Sequence, residues 1–293
     1  MTQNSFKGIP EIQIRHDPIA SLYPLRDGGL MSTSADLGYG KQREATVWNS
    51  FTGLAKMTLR GHTKDIRDIC QLDNGLVATA SSEDQTIILW MIEQQSDKPQ
   101  QVLVHENTYK WDKCNICPLS NGHLASGYNY NVIVWNSNTR RQMLTLYVND
   151  SISSLLQLNN GLLAVGTEGK TIWLNDLESG ESVMAFKDHP KRIKCMCQLN
   201  DNTLVSGSDF TIKMWDVRSG KCSMTLDPTP IWSMCRLNDG RLLTASFDRK
   251  VVIWNEQTGK KEMIVPKRGH TVCQLIDERV AIGNFTGEID LLN

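Results

Sequence analysis

The chain carries no surplus charge of either sign. Its 31 basic and 32 acidic side chains leave a net charge of −1 over 293 residues, which excludes the strong positive balance of a general nucleic-acid binder. Long apolar runs are missing as well. No 18-residue apolar stretch occurs, and Met1 to Pro10 is polar, without the apolar core of a secretion signal. The expectation is a soluble cytoplasmic chain, with the nucleus as a second option, neither secreted nor bound to a membrane. Catalytic signatures are absent too: there is no Gly-x-Ser-x-Gly elbow, no phosphate-cradling glycine loop and no His/Asp cluster with metal spacing. The six histidines, His16, His62, His105, His123, His189 and His270, are scattered. Neither a cofactor nor a metal is expected.

What is present is repetition. Seven times, a short apolar strand leads through an Asn/Asp/Gly turn to a second apolar run, then to a third strand usually closed by Trp-Asn or Trp-Asp. The third strands end at Trp48, Trp90, Trp135, Asn175, Trp215, Trp254 and Leu292, at spacings of 42, 45, 40, 40, 39 and 38 residues. A period near forty with four strands per unit predicts an all-β fold, a seven-bladed propeller of four-stranded antiparallel blades. Turns such as Asp27-Gly28, Asn74-Gly75, Asn121-Gly122 and Asp239-Gly240 supply the positive φ angles of tight hairpins. The blades are expected at about 17–60, 61–104, 105–147, 148–187, 188–226, 227–265 and 266–293, within a single propeller spanning 1–293. The seventh repeat has no fourth strand after Leu292, while Glu11-Ile-Gln-Ile-Arg-His16 matches the fourth-strand segment Met57-Thr-Leu-Arg-Gly-His62. Residues 10–15 are therefore expected to complete the last blade, hiding a sheet edge that would otherwise be open. Glu93 to Gln100 reads as a polar loop inserted in the second blade.

The repeat register also decides what the eight cysteines are for. Cys70, Cys117, Cys197, Cys235 and Cys273 share one first-strand position that the other blades fill with Tyr23 and Leu156, so the position is a packing slot. Cys114-x-x-Cys117 resembles half a zinc knuckle, but residues three apart on a strand point to opposite faces and no second pair accompanies them. Methionines Met57, Met184, Met224 and Met263 recur in the fourth strands and are core residues on the same argument.

These units resemble the WD40-repeat family over essentially the full chain. The fullest are Gly61-His62 to Glu83-Asp84 to Trp90, and Asp188-His189 to Ser206-Gly-Ser-Asp209 to Trp215-Asp216. In that family a His before the first strand, a Ser/Thr on the second, an Asp in the next turn and the Trp form a hydrogen-bonded cluster. The resemblance implies this role for His62, Asp84 and Trp90 in the second blade, and for His189, Ser206, Asp209 and Trp215 in the fifth. Asp248 keeps its spacing to Trp254, but Pro228-Thr-Pro230 stands where the His would be. The third blade has Asn129 for the Asp, and the fourth has Gly169 with Asn175 for the Trp; apolar packing is expected to hold those two. Trp215-Asp-Val-Arg218 matches a signature of propellers that dock onto cullin-4 ubiquitin ligases, although one residue is missing between Ser206 and Asp209.

Function in such a ring belongs to loops and the axial channel, because the blades are packing. One position just inside the first strand reads Ala20, Arg67, Cys114, Ser153, Lys194, Trp232 and His270. Lys110, Trp111, Arg192 and Arg268 lie next to it in sequence, and the turns between second and third strands add Tyr128, Tyr130, Phe210, Phe247 and Phe285. The acids Asp65, Glu83 and Asp84 are read as confined mainly to the second blade. This concentrates aromatic and basic side chains on one predicted face, with Arg67, Trp111, Arg192, Lys194, Phe210, Trp232, Phe247, His270 and Phe285 as candidate contacts. Trp and Arg dominate interface hot spots. The expected role is a non-catalytic scaffold or adaptor, monomeric by itself within a larger complex, that holds a protein segment or peptide, acidic or phosphorylated ones among them. A cullin-type ligase receptor and an enzyme with a channel-sited active site are the alternatives.

Overall fold

The computed structural model of the protein describes residues 14–15, 19–34, 43–94, 97–104, 114–226 and 230–292. They form seven four-stranded antiparallel sheets, six of them laid out in chain order from inner to outer strand and the seventh closed on the outside by the N-terminal strand. Blade 1 runs from Ile19–Pro24 to Ala55–Arg60, blade 2 from Asp68–Gln71 to Gln101–Val104 and blade 3 from Cys114–Pro118 to Gln142–Tyr147. Blade 4 runs from Ile152–Gln157 to Ser182–Phe186, blade 5 from Ile193–Asn200 to Cys222–Leu226 and blade 6 from Ile231–Arg236 to Lys261–Arg268. Blade 7 combines Thr271–Gln274, Val280–Gly283 and Glu288–Leu292 with Ile14–Arg15, which pairs antiparallel to Glu288–Ile289. First strands of successive blades lie side by side, that of blade 7 against that of blade 1 included, so the ring is closed. Among the described residues the one helical turn is Ile92–Gln94.

The core is not central. It consists of seven apolar layers, each drawn from two neighbouring blades. Second strands such as Val77–Ser81, Leu124–Tyr128 and Leu242–Ser246 are buried at every position, as strands covered on both faces must be. Close approach at these layers needs glycine at defined places: a Cβ on Gly166 would lie 2.8 Å from Ile193 of the next blade, and one on Gly283 would lie 2.9 Å from Ile19. Cys114 and Cys117 enter different layers, between blades 2 and 3 and between blades 3 and 4. Burial pushes the Cys117 and Cys235 thiols up to about 12, so they stay protonated and pack as small hydrophobes.

A repeated glutamine ties blade to blade. Gln71, Gln157, Gln198 and Gln274 follow the first-strand packing slot. Each side-chain oxygen accepts a backbone N–H from the turn of the preceding blade, from Arg26, Ser120, Asn159 and Asn238 at 2.7–3.0 Å. Within blades, the third-strand Trp indole donates to the second-strand hydroxyl in five cases: Trp48 to Ser32, Trp90 to Thr79, Trp135 to Ser126, Trp215 to Ser206 and Trp254 to Thr244, at 2.7–2.8 Å. Blade 3 therefore keeps this polar bond in addition to apolar packing, a correction to the expectation for it. In blade 2 the chain of bonds is complete: Thr79 Oγ1 lies 2.9 Å from His62 Nε2, and His62 Nδ1 lies 2.9 Å from Asp84. Burial alone raises the Asp84 carboxyl, but bonds from His62, Thr86 and the Thr63 N–H outweigh it and hold it low.

Blade 5 departs from the implied cluster. His189 Nε2 is 2.5 Å from Ser206 Oγ, but its Nδ1 faces Thr211 Oγ1 at 3.3 Å rather than Asp209. The missing residue between Ser206 and Asp209 shortens this turn, and Ser208 Oγ takes over its cap, accepting the Thr211 N–H at 3.1 Å. Asp209 is left pointing at Lys194 and Arg192 instead.

The seam between blades 7 and 1 has two clasps. At one end His270 Nε2 donates to the Ile19 carbonyl at 2.5 Å. At the other, Arg279 donates to the Ser50 carbonyl at 2.7 Å and to Ser50 Oγ at 3.0 Å, and is paired with Asp277 at 2.6 Å.

Two expectations follow from this packing. Deleting residues 1–16 uncovers the Glu288–Leu292 edge and should lower Tm by about 5 °C or more, since a loss of about 2 kcal/mol shifts a chain of this size by that order. A truncated chain melting within a degree or two of the intact one would disprove closure by the N-terminal strand. Burial first, with the Lys213 charge added at His189, also holds His189 and His270 near pKa 4, against an ordinary 6.5. Between those values the unfolded chain takes up a proton that the folded chain refuses, so stability falls as pH drops from 6.5 toward 4, by on the order of 2 kcal/mol per histidine. Thermal melts across that window should show the decline, and His270→Gln should make it shallower. A flat Tm over the same range would show that these rings are not buried neutral.

Candidate functional site

The face carrying the loops into the first strands and the turns between second and third strands brings together residues of blades 5, 6 and 7. Trp232 stands exposed at its centre. Phe247 lies against it at 6.0 Å between ring centroids with a 24° interplanar angle, and Phe285 meets it edge-on at 6.5 Å and 83°. Phe285 in turn stacks on His270 at 3.6 Å and 4°. Lys194 Nζ sits 4.2 Å above the Trp232 ring, crossing from blade 5 to blade 6. Phe210 extends the row on the blade 5 side, with Lys191 Nζ 6.0 Å from its ring. Phe210, Phe247 and Phe285 are all exposed, so a crescent of four aromatic rings faces solvent on this side of the ring.

Local chemistry explains why these side chains are presented. Phe210, Phe247 and Phe285 occupy tight reversals, where the side chain cannot turn back into a blade layer already filled by its neighbours. Trp232 follows Ile231, which is fully buried; the strand alternates, so Trp232 points out.

The electrostatics differ from the sequence expectation in two respects. Acids are not confined to blade 2. Asp209 holds Lys194 at 2.6 Å and Arg192 at 3.2 Å, and Glu168 of blade 4 meets Arg192 at 3.6 Å. Burial alone raises the Asp209 carboxyl, but the two cations outweigh it and keep it ionised. Lys194 and Arg192 are thus internally paired. His270 is the second difference. It is buried, burial lowers its pKa to about 4, and its Nε2 is committed to Ile19, so it supports Phe285 from beneath as a neutral ring instead of offering positive charge.

Unpaired positive charge lies beside the crescent. A cavity of about 560 Å3 between blades 6 and 7 is lined by Arg249, Arg268, His270, Asn284 and Phe285 among others. Arg249 and Arg268 are exposed and have no ion-pair partner among the described residues, whereas Lys267 in the same cavity is paired with Asp290 at 3.1 Å. Arg249 escapes a reading of the first-strand position because it lies in the turn after the second strand, at a φ of 64°.

The other candidates lie elsewhere. Arg67 is on blade 2, paired with Glu83 at 3.5 Å and near Asp65 at 3.8 Å. Tyr128 is buried, and exposed Tyr130 stacks with Tyr147 at 6.4 Å on blade 3. Ala20, Cys114 and Ser153 belong to the inner strands of blades 1, 3 and 4; Cys114 and Ser153 are buried, and Ser153 bonds the Gly166 carbonyl at 3.1 Å. Trp111 and Lys110 lie outside the described residues. The axial channel, about 680 Å3, is walled by inner-strand residues including Asp68, Cys70, Cys117, Lys194 and Trp232. Burial raises the Asp68 carboxyl to about 7 although the N–H groups of Ile116 and Ile69 bond to it. Among the described residues no group of three His, Cys, Asp or Glu is arranged to hold a metal, and no helix is long and apolar enough to cross a membrane.

Comparison with known proteins agrees with this architecture. The WD40 family, described as WD domain, G-beta repeat, matches residues 53–91, 180–216 and 220–255. The chain is 26% identical over 162 residues to meiotic fizzy-related protein 1 of Schizosaccharomyces pombe, covering 53% of this chain and 37% of that protein. It is 24% identical over 232 residues to apoptotic protease-activating factor 1 of Danio rerio, covering 73% of this chain and 17% of that protein. It is 29% identical over 238 residues to WD repeat-containing protein 41 of Homo sapiens, covering 73% of this chain and 48% of that protein. The matched region is thus less than half the length of each of these relatives. Relatives of this repeat class fit a protein-interaction scaffold and are generally non-catalytic. The chain is a seven-bladed β-propeller in which the segments 53–91, 180–216 and 220–255 match the WD40 repeat.

Proposed function

We propose that the protein is a non-catalytic interaction scaffold that holds a short segment of another protein across blades 5 to 7. The observation that carries this reading is the exposed crescent of Trp232, Phe247, Phe285 and Phe210. Aromatic rings supply large contact area at little loss of side-chain freedom, and they dominate binding energy where they are rigid. Here the Lys194–Asp209 pair and the His270 stack hold the rings in place before any partner arrives, which lowers the ordering cost of association. An apolar or aromatic side chain of the segment rests on the crescent. A neighbouring carboxylate or phosphate reaches Arg249 and Arg268, whose charge is not already spent on an internal acid. The narrower reading as a ligase receptor draws on Arg218, exposed on the opposite face.

The test is affinity purification from the native cell, followed by binding of the identified segment. Trp232→Ala should weaken binding by roughly 30-fold, the scale of a 2 kcal/mol hot spot, with Tm nearly unchanged. Arg268→Ala should weaken an acidic or phosphorylated segment and flatten its salt dependence, while leaving an uncharged version of that segment unaffected. Full binding by Trp232→Ala would overturn the assignment of this face. Unaltered binding of a ligase adaptor by Arg218→Ala would remove the receptor reading.

A further inference from the structure

The hydrogen bonds of the turns on the opposite face provide a register finer than sequence spacing, and that register exposes three departures. The turn between third and fourth strands closes identically in five blades. Its first residue accepts one N–H from within the turn and donates its own to the carbonyl five residues on, as Asn49 does with Gly53 and Leu54, and Asp216 with Gly220 and Lys221. The residue at the end of this turn is Arg141, Glu181, Lys221 or Lys260 in blades 3 to 6, but Leu54 in blade 1. Two residues after the turn begins stand Asn138, Glu178, Arg218 and Gln257, but Phe51 in blade 1. The turn between first and second strands closes identically in six blades, and the residue after its leading Leu is Arg26, Asp73, Ser120, Asn159 or Asn238, but Ile276 in blade 7.

All three apolar departures fall at the seam of blades 7 and 1. Phe51, Leu54 and Ile276 are 68%, 69% and 65% exposed. Phe51 and Ile276 flank the same glycine, both within 4.0 Å of where a Cβ on Gly28 would stand. The Arg279 guanidinium lies 4.8 Å from the Phe51 ring centroid while its N–H groups are taken up by Ser50 and Asp277. The patch is therefore held on a hydrogen-bonded frame rather than on a free loop.

We propose that this patch is a second docking surface, on the face opposite the aromatic crescent, for a short apolar segment of another protein that carries no acidic residue. Area and charge select that occupant. Three side chains of this size present on the order of 400 Å2, a patch of the size that marks binding sites on monomers but about half of what one partner of a stable dimer buries. By itself the patch is too small for a dimer interface and of a size for a short segment. Charges around the patch cancel internally: Lys56 meets Asp27 at 3.4 Å and Arg279 meets Asp277 at 2.6 Å. The exception is Glu278, which is exposed on the same turn as Ile276 and has no ion-pair partner among the described residues. An acid brought here would face that carboxylate without a cation to answer it, whereas an uncharged or basic-flanked apolar segment meets no such opposition.

The experiment places the photo-crosslinking residue p-benzoylphenylalanine at position 51 of the full chain in its native cell, with the same residue at position 138, the equivalent turn of blade 3, as the reference. The expected product is one dominant crosslink from position 51 to a different protein, at an apolar segment lacking Asp and Glu. That segment, made as a peptide, should bind the purified protein and lose at least 10-fold in affinity when Phe51→Asn, Leu54→Arg and Ile276→Asn are combined. These substitutions install what other blades use in the same turns, so the fold should persist with Tm close to that of the parent. The peptide should bind Trp232→Ala as it binds the parent, which separates this surface from the crescent. A crosslink no stronger than that from position 138, a crosslink to a second copy of this chain, a segment rich in acids, or a triple variant that binds unchanged would each overturn the proposal.

Discussion

Each apolar layer of this protein is completed only by the next blade, and that single constraint governs the rest of the structure. A blade by itself would expose both faces of a sheet whose second strand is buried at every position. No layer is satisfied until the seventh meets the first. Ile19, Leu22 and Leu30 of blade 1 share a layer with Cys273, Ala281 and Ile289 of blade 7, so ring closure is a packing requirement and not an ornament of topology. The seam is accordingly where polar reinforcement concentrates. His270 reaches Ile19, Arg279 reaches Ser50, the Ile19 N–H meets the Asn284 carbonyl at 3.2 Å, and Ile14–Arg15 lends the final strand. Elsewhere a single glutamine tether ties blade 1 to 2, 3 to 4, 4 to 5 and 6 to 7.

The fold was legible because its determinants are local and repeated. Trp ends and Asn-Gly turns recur at a period set by one blade, and each copy corroborates the others. The aromatic crescent was legible for the complementary reason: Trp232, Phe247 and Phe285 occupy positions that the repeat leaves free to vary. What escaped the sequence is pairing across or around a turn. Nothing in the spacing of Asp209 says that a turn one residue shorter hands its capping role to Ser208 and frees the carboxylate for Lys194. Nor does the position of His270 reveal that a carbonyl 251 residues away will claim its Nε2. The tethering glutamines were missed because a lone Gln beside a conspicuous Cys carries no signal until its partner turn is in place.

These pairings alter the chemistry of the candidate face. Counted along the sequence, the face is basic and aromatic. In space, Arg192 and Lys194 are answered by Asp209 and Glu168, and His270 is neutral. Positive charge without an acid partner among the described residues remains at the margin, at Arg249 and Arg268 and at Lys191 beside Phe210. The crescent is then an apolar platform with charge at its margin, an arrangement suited to binding that is driven by area and oriented by charge.

The two faces of the ring can be compared because the repeat supplies its own reference. A residue that departs from its counterparts in the other blades either serves packing within the blade or serves something outside the chain. The cysteine, methionine and tryptophan positions belong to the first group, since burial accounts for them. Phe51, Leu54 and Ile276 cannot, because they are two-thirds exposed on turns whose hydrogen bonds close equally well with polar residues in other blades. Stability gives no reason for apolar side chains there, and solubility argues against them. Their coincidence at one seam, beside an arginine whose guanidinium lies 4.8 Å from the Phe51 ring centroid, separates this patch from scattered surface hydrophobes such as Val183 or Ile264, which stand on outer strands of different blades. The apolar patch and the aromatic platform lie on opposite faces of one closed ring, so the two proposed docking surfaces share no residue and segments held there would not compete.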